Sequence, residues 1–397
     1  MASPVITVNQ RGAARLRGGH PWVYRSDLVM PVDAPGGALI QVRDQRDRSL
    51  GSALYSSASQ IAIRRLSVEE ISEEQLASLL RERIAAAAQF RQSVVRDTNS
   101  YRVIFSEADL LPGLIVDKYN EVLSLQALTQ AFDREDLQKI VIEELAGHFP
   151  GCSVVERVDP HIRELEQLPE RQSRLVRGER SSTVFTLNDV RFHYDGLGGQ
   201  KTGAFLDQRE NYSAAARYAH GAAIDCFTYQ GGFALHLARV CDSVTAIDSS
   251  RPALEVAEQN EQLNRAEHRC GEIEWIEANA FDLLKDYASA GRQYDTIVLD
   301  PPAFAKTRRT VPTALRGYKE LNLRALKMLR PGGILVSCSC SFHVSEAEFL
   351  KMLRSAAADA GRRVRILEKR GQAQDHPVLL NAPETGYLKC IMAYLIS

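Results

Sequence analysis

One stretch, Tyr294 to Ser341, limits what this chain can fold into more than any other. It reads as an apolar strand, then Asp300-Pro301-Pro302-Ala303-Phe304, a basic linker, a helix, Pro331-Gly332-Gly333, and a strand ending Ser337-Cys338-Ser339-Cys340-Ser341. Tyr294 and Thr296 to Leu299 are apolar or β-branched and lead straight into a carboxylate and two prolines, which fits a buried parallel strand stopped at its carboxyl end. That end is where open α/β sheets place their ligands. The helix expected over Gly317 to Arg330 gives a crossover long enough to bring the second strand in parallel beside the first. A carboxylate and two thiols are therefore expected at one sheet edge.

The chain has 397 residues, room for two or three domains with separate cores. A hydrophobic fraction of 45%, a charged fraction of 25% and a net charge of −1 give no evidence for nucleic acid from overall charge. Distribution says more. Residues 1 to 66 carry nine arginines against four aspartates, and the first lysine is Lys118. Arginine forks suit phosphates, so this end could lie against a polyanion; a solvated basic face fits equally well. The seven cysteines include no C-x-x-C pair, and no hydrophobic leader precedes the first strands. A cytoplasmic protein with reduced thiols is expected. No apolar run reaches the roughly 18 to 20 residues that cross a bilayer.

Three regions follow from the patterning. Residues 1–70 hold short apolar runs (Val5 to Val8, Ala38 to Val42, Ile61 to Leu66) broken by Gly18-Gly19, Pro31 and Pro35-Gly36-Gly37, the spacing of a small β-rich module. Within it, Arg17, His20, Trp22 and Tyr24 place an imidazole and two aromatics among arginines, a composition suited to RNA; Trp22 as a core filler is the plainer alternative. Residues 71–190 open with a helix over Ser72 to Val95, where Ser72 and Gln75 resemble a capping box and Leu76, Leu79, Leu80, Ile84 and Ala87 share a face. Strands and a helix over Asp136 to Phe149 then suggest an α+β module, and the charged stretch Arg157 to Arg180 reads as an exposed linker with short strands. Residues 191–397 alternate strands (from Ala222, Val244, Ile273, Thr296, Ile334, Val364 and Leu388) with amphipathic helices, an α/β doubly wound sheet with an antiparallel edge. Ser345 and Glu348 form a second plausible capping box.

The first strand of that sheet ends Asp225-Cys226-Phe227-Thr228-Tyr229-Gln230-Gly231-Gly232-Phe233. Glycines here let backbone approach a ligand at a helix start, but the G-x-G-x-x-G of a pyrophosphate site is absent, and Asp225 would repel phosphate while accepting from an ammonium. The second strand ends at Asp248, the position that takes a ribose diol. After the third, Asn279 and Phe281 offer an amide and a ring for adenine. Each alone is weak, since an acid at a strand end is often only a helix cap. Three in order, followed by Asp300-Pro301-Pro302, fit S-adenosylmethionine (SAM).

Gln200-Lys201-Thr202-Gly203-Ala204-Phe205-Leu206-Asp207-Gln208-Arg209, the Asp225 to Phe233 turn, Asp300-Pro301-Pro302-Ala303-Phe304, Arg316-Gly317-Tyr318-Lys319 and Ser339-Cys340-Ser341 together resemble the ribosomal RNA large-subunit methyltransferase I family. Those are class I SAM-dependent cytosine-C5 methyltransferases with an N-terminal PUA domain. The resemblance implies a PUA domain, a central α+β domain and a Rossmann-like methyltransferase domain, with SAM as cofactor, no metal, large-subunit ribosomal RNA as partner, and a homodimer left open. It places Phe205, Asp207, Gln208 and Arg209 near the methionine end of SAM, Asp225 and Gly231, Gly232 and Phe233 in the cofactor turn, Asp248 on the ribose, Asn279 with Phe281 at the adenine, and Asp300 and Pro301 beside them. Relatives usually carry Asp where Asn279 stands; an amide oxygen can still accept from the adenine amine. Lys306, Arg316 and Lys319 join Arg17, His20 and Trp22 as candidate RNA contacts.

By the same resemblance Cys340 is the nucleophile, and Cys338 a buried strand thiol. Carbon 5 of cytosine becomes nucleophilic when a thiolate adds at carbon 6, and Asp300 would hold the N3 or amine edge. Such a thiol needs a lowered pKa, for which Lys306, Arg316, Lys319 or a helix amino terminus are the candidates. Two alternatives stand beside this: an exocyclic-amine or guanine-N7 methyltransferase that uses Asp300-Pro301-Pro302-Ala303-Phe304 without a cysteine, and a non-catalytic RNA-binding assembly factor. His376 is a further candidate base, or a structural histidine.

Overall fold

The computed structural model describes residues 3–198 and 204–397, so the Gln200-Lys201-Thr202-Gly203 part of the first motif lies outside the described residues. The chain forms two compact units: Met1–Phe185 with Tyr194–Thr202 and Gln374–Thr385, and Thr186–His193 with Gly203–Ala373 and Gly386–Ser397.

In the first unit, β1 (Val5–Val8), α1 (Gln10–Arg17), β2 (Trp22–Tyr24), β3 (Leu39–Asp44), β4 (Ser49–Tyr55) and β5 (Ile61–Ser67) make the expected β-rich module, a five-stranded sheet in the order β1-β3-β4-β5-β2. Gly51, at φ +95°, lies where any side chain would collide with the Ser67 carbonyl, and the β4 to β5 register shifts beside it, between Ser52 and Ala53. The arginine surplus is largely absorbed internally: Arg17 and Arg48 pair with Asp44, Arg64 lies near Glu107 and Glu166, and Arg25 donates to the Ser56 and Ser59 carbonyls.

Helix α2 (Glu73–Val94) starts on the Ser72/Gln75 capping box and buries Leu76, Leu80, Ile84, Ala87 and Ala88. It packs on β6 (Ser100–Phe105), β7 (Leu114–Tyr119), β8 (Val122–Ala127) and α3 (Glu135–His148), in one core with Leu39, Leu54 and Leu66 of the β-rich module. β9 (Ser153–Glu156), α4 (Pro160–Leu165) and β10 (Arg174–Arg177) follow, giving a sheet in the order β10-β9-β8-β7-β6. The charged stretch Arg157 to Arg180 is not simply exposed. Arg163 is buried against Asp133 at 2.8 Å, and buried Glu166 accepts from Ser56 Oγ at 2.8 Å. Charges buried as pairs carry no apolar periodicity, which is why the pattern suggested a linker.

β11 (Ser182–Leu187) pairs with β12 (Val190–Asp195). The second unit then runs α5 (Arg209–Tyr218), β13 (Ala222–Cys226), α6 (Gly232–Ala238), β14 (Ser243–Asp248), α7 (Arg251–Asn264), β15 (Glu274–Glu277), α8 (Ala280–Ser289), β16 (Tyr294–Leu299), α9 (Val311–Met328), β17 (Leu329–Ser339), α10 (Glu346–Asp359), β18 (Val364–Arg370) and β19 (Lys389–Leu395). Its seven-stranded sheet has the order β15-β14-β13-β16-β17-β19-β18, parallel except that β19 runs antiparallel to both neighbours, as expected. Ile224, Ile247, Ile297, Leu299 and Leu335 fill its core with Leu321 and Leu326 of α9.

Two local expectations shift. Helix α9 begins at Val311 rather than Gly317, because Pro312 sits in its first turn, where a fixed φ and a missing donor cost nothing. Pro331-Gly332-Gly333 is an irregular start to β17 rather than a turn before it, with the register to β16 slipping between Tyr294 and Thr296. Among the described residues no helix is long and apolar enough to cross a membrane.

Candidate active site

Parallel pairing of β13 with β14 and β16 brings the carboxyl ends of three strands level, so Asp225, Asp248 and Asp300 gather at one edge. The turn after β13 is held in costly backbone: φ is +68° at Phe227, +52° at Tyr229 and +87° at Gly231. Non-glycine residues stay in that region only when neighbours over-determine them. Here Thr228 N donates to the Ile247 carbonyl at 2.9 Å and Tyr229 N to Asp248 Oδ2 at 2.9 Å. Gly232 is kept small by protein, since a Cβ there would come 2.6 Å from Tyr212 Cζ, and Phe233 is a buried side chain set edge-on to the Tyr212 ring.

Asp225 is fully buried. Its Oδ2 accepts from Thr228 Oγ1 at 2.6 Å and from Ala234 N at 3.0 Å, while Oδ1 has no partner among the described residues. Burial pushes its pKa up to about 7. An orphaned buried carboxylate oxygen is costly unless a cation or donor completes it, and the ammonium of a SAM-like tail is of that kind. Asp248 spends one lone pair of each oxygen on backbone, Oδ2 on Tyr229 N and Oδ1 on Ser250 N at 2.9 Å, and retains the others for a diol. These features fit SAM.

Asn279 is the N-cap of α8, its Oδ1 accepting from Phe281 N at 2.9 Å. An adenine amine would therefore share an oxygen already in use. The Phe281 ring lies 5.8 Å from that of Phe304 and 6.5 Å from that of Phe227, an aromatic wall beside the cap. Asn279→Asp is expected to leave thermal stability unchanged, because Asp caps as well as Asn. It should tighten SAM several-fold in titration calorimetry by giving the amine a charged acceptor.

The turn before α5 joins the same cluster. Gln208 donates from Nε2 to Asp300 Oδ2 at 2.9 Å and accepts from Asn211 Nδ2 at 2.7 Å, so its orientation is set from both sides. Asp207 accepts from the Tyr387 hydroxyl at 2.6 Å. Phe205 is 40% exposed, its ring 5.1 Å from that of Tyr229. Arg209 instead turns inward, buried beside Glu210. With Asp207 and Asp225 close by, burial and like charge push Asp300 up to about 8.

The two thiols have different surroundings. Cys338 is a fully buried free thiol, opposite the free thiol Cys390 in the β17 to β19 register and in hydrogen-bond contact with it. Cys340 is half-buried just past the end of β17, with Sγ 3.8 Å from the Pro301 carbonyl. The loop around it is pinned by a hydroxyl relay: the Tyr318 hydroxyl lies 3.0 Å from both Ser339 Oγ and Ser341 Oγ, and Ser341 Oγ accepts from Ala305 N at 3.1 Å. The expected lowering of the thiol pKa by Lys306, Arg316, Lys319 or a helix end is not what the surroundings produce. Burial, then Asp300 and Asp207, push Cys340 up to about 12, and the cation that opposes them is Lys389. Neither Lys389 nor the serine-tyrosine relay stands out as a site in the sequence; the signal available is a lone lysine at the start of an otherwise apolar strand.

The candidate RNA contacts divide between the units. In the first, Trp22 donates from Nε1 to Glu107 at 2.8 Å, His20 Nε2 lies 3.1 Å from Glu384, and Arg17 pairs with Asp44. Their polar groups are thus engaged within that unit. His376 is buried there against the Phe105 ring, as a structural histidine would be. In the second, Lys306 and Arg316 are exposed, and Lys319 pairs with Asp359 at 2.6 Å.

Comparison with known proteins agrees with this geometry. Residues 6–68 match the model of a PUA-like domain, and residues 138–382 that of an S-adenosylmethionine-dependent methyltransferase. Proteins named ribosomal RNA large subunit methyltransferase I in Yersinia pseudotuberculosis and Yersinia pestis are each 35% identical over 377 residues, 93% of this chain and 94% of theirs. Among solved structures, a methyltransferase complexed with SAH aligns at TM-score 0.83 and 17% identity, over 98% of this chain and 99% of that one. A SAM-dependent methyltransferase from Streptococcus mutans aligns at 0.82 and 16% over the same shares, and both likenesses concern the fold. The chain belongs to the ribosomal RNA large subunit methyltransferase I family, a PUA-like domain followed by a SAM-dependent methyltransferase fold whose cofactor is SAM.

Proposed function

We propose that this chain methylates carbon 5 of a cytosine in large-subunit ribosomal RNA, with Cys340 as the nucleophile. The observation that carries the reading is the placement of a half-buried thiol, Cys340, with its sulfur 3.8 Å from the carbonyl of Pro301, the residue after Asp300. A carboxyl and a thiol so placed can address two edges of one pyrimidine. The names of the relatives supply the substrate class.

Cys340 would lose its proton to solvent and bond through Sγ to carbon 6, moving the ring's π electrons onto carbon 5. SAM, when bound, would supply a sulfonium methyl that carbon 5 bonds to as the carbon–sulfur bond breaks, its electron pair staying with sulfur. Asp300, held up to about 8, is largely protonated at neutral pH and can donate to N3, offsetting the charge that addition creates. Gln208 fixes the Asp300 carboxyl, and Tyr318 with Ser339 and Ser341 fixes the loop that carries the thiol. Loss of the carbon-5 proton to solvent then restores the ring double bond and expels the thiolate.

The test is mass-spectrometric mapping of large-subunit rRNA incubated with the protein and SAM. The reading expects 5-methylcytidine, and a covalent adduct at Cys340 with RNA carrying 5-fluorocytosine. Methylation of an exocyclic amine or of guanine N7, with no adduct, would support the alternative in which Asp300-Pro301-Pro302-Ala303-Phe304 grips the base alone.

A further inference from the structure

Lys389 is a buried ammonium without an anion of its own. It lies at the start of β19, opposite Ser339 in β17, and is 9% exposed. Its Nζ donates to the Ser341 carbonyl at 2.6 Å and the Tyr387 carbonyl at 2.8 Å. Both acceptors are neutral, and they take two of its three donors. No carboxylate among the described residues lies within ion-pair distance of it. A buried charge completed only by carbonyls is expensive to keep, and burial duly lowers the Lys389 pKa to about 8.

The charges facing this lysine come from two directions. Cys340 and, on α10, Glu348 favour its protonated form. Around Cys340 itself stand Asp300 at the end of β16, Asp207 in the turn before α5, and the Tyr318 hydroxyl on α9. Both carboxylates oppose a thiolate, so Lys389 is the cation that favours one. The Ser341 carbonyl that it grips belongs to the residue directly after Cys340, so one side chain both anchors the thiol's loop and sets its local field.

We propose that Lys389 is the positioning residue of the Cys340 thiol, holding the loop through the Ser341 carbonyl and supplying the positive charge against which the thiolate forms. This rests on Cys340 being the nucleophile. A purely structural lysine tying β19 to the loop would serve the first task alone.

The experiment follows the rate of iodoacetamide alkylation of the Cys340 peptide by mass spectrometry across pH 6 to 8, where Lys389 carries its charge, in full-length wild type, Lys389→Arg, Lys389→Gln and Lys389→Met, alongside methylation kinetics. Removing one nearby cation should slow alkylation of the Met and Gln variants by about tenfold at pH 7. Their kcat should fall at least about tenfold with KM for RNA little changed, and Arg should restore most of both. Gln keeps a donor for the Ser341 carbonyl, so it separates tether from charge and serves where Met does not fold. An alkylation profile in folded Gln or Met protein that overlays wild type would overturn the proposal. Cys340→Ala run in parallel separates the two ideas: if that variant turns over, the nucleophile assignment fails whatever Lys389 does, and if it is inactive while the profiles overlay, only the Lys389 role fails.

Discussion

Replacing Cys340 with alanine is expected to reduce methyl transfer by at least about a thousandfold while leaving SAM affinity within about twofold. The size follows from the chemistry: without a sulfur adding at carbon 6, carbon 5 has no enamine to attack from, and binding and positioning alone recover only a residual rate. SAM affinity is spared because its candidate ligands, Asp225, Asp248 and the Phe227 to Gly231 turn, hydrogen-bond among themselves and their neighbours, while the thiol contacts the Pro301 carbonyl. Cys338→Ala is the matched control. That thiol is fully buried against the Cys390 thiol, so its loss should cost stability and leave turnover within about threefold. Initial rates with saturating RNA and a melting curve for each variant decide the matter. Comparable turnover by Cys340→Ala would remove the covalent route.

Asp300→Asn is expected to lower kcat by about 10² to 10³ with little change in folding. The amide is isosteric and retains an oxygen for the Gln208 Nε2 now 2.9 Å from Asp300 Oδ2. What it loses is a transferable proton. Asp300 is pushed up to about 8 by burial and by Asp207 and Asp225, so it is protonated below that pH and ionised above it. The Cys340 thiolate gains with pH up to about 12, so if the protonated Asp300 donates to N3, kcat/KM should rise with pH and level off above the Asp300 value, where the thiolate gained is offset by the donor proton lost. In Asp300→Asn the levelling should vanish and the rise continue, because an amide does not titrate there. Levelling that persists in the variant would assign it to another group.

The methyltransferase sheet was legible because three of its strands, β13, β14 and β16, are short, largely apolar runs that end at or beside an acid, and such runs leave few alternative registers. The capping boxes at Ser72 and Ser345 were legible for a simpler reason, since both partners lie within four residues. Regions where charge is satisfied at long range were not. Arg163 finds Asp133, and Arg91 finds Asp109 and the Asp375 carbonyl 284 residues away, pairings that no window of sequence contains. The arginine-rich first module shows the same limit: read as a possible basic face, it proves to spend Arg17, Arg25 and Arg48 on its own carbonyls and carboxylates and Arg64 on Glu107 and Glu166 of the next.

For the site, the motifs and their resemblance named Asp225, Asp248, Asp300 and Cys340 from strand ends, because a parallel sheet brings strand ends to one edge whatever the side chains between them. Which thiol is accessible was decided by tertiary packing, which seals Cys338 against Cys390 and leaves Cys340 beside Pro301. Packing also decided the electrostatics. The cations lying between Asp300 and Cys340 in sequence, Lys306, Arg316 and Lys319, were the natural candidates for activating the thiol, yet the cation that favours its ionised form is Lys389, brought in by the antiparallel pairing of β19 with β17. Sequence alone determined the order of strands, the cofactor class and the candidate chemistry, since these depend on local pattern. The protonation of Asp300 and the partner of Cys340 depend on burial and on through-space charge, and only the folded chain sets those.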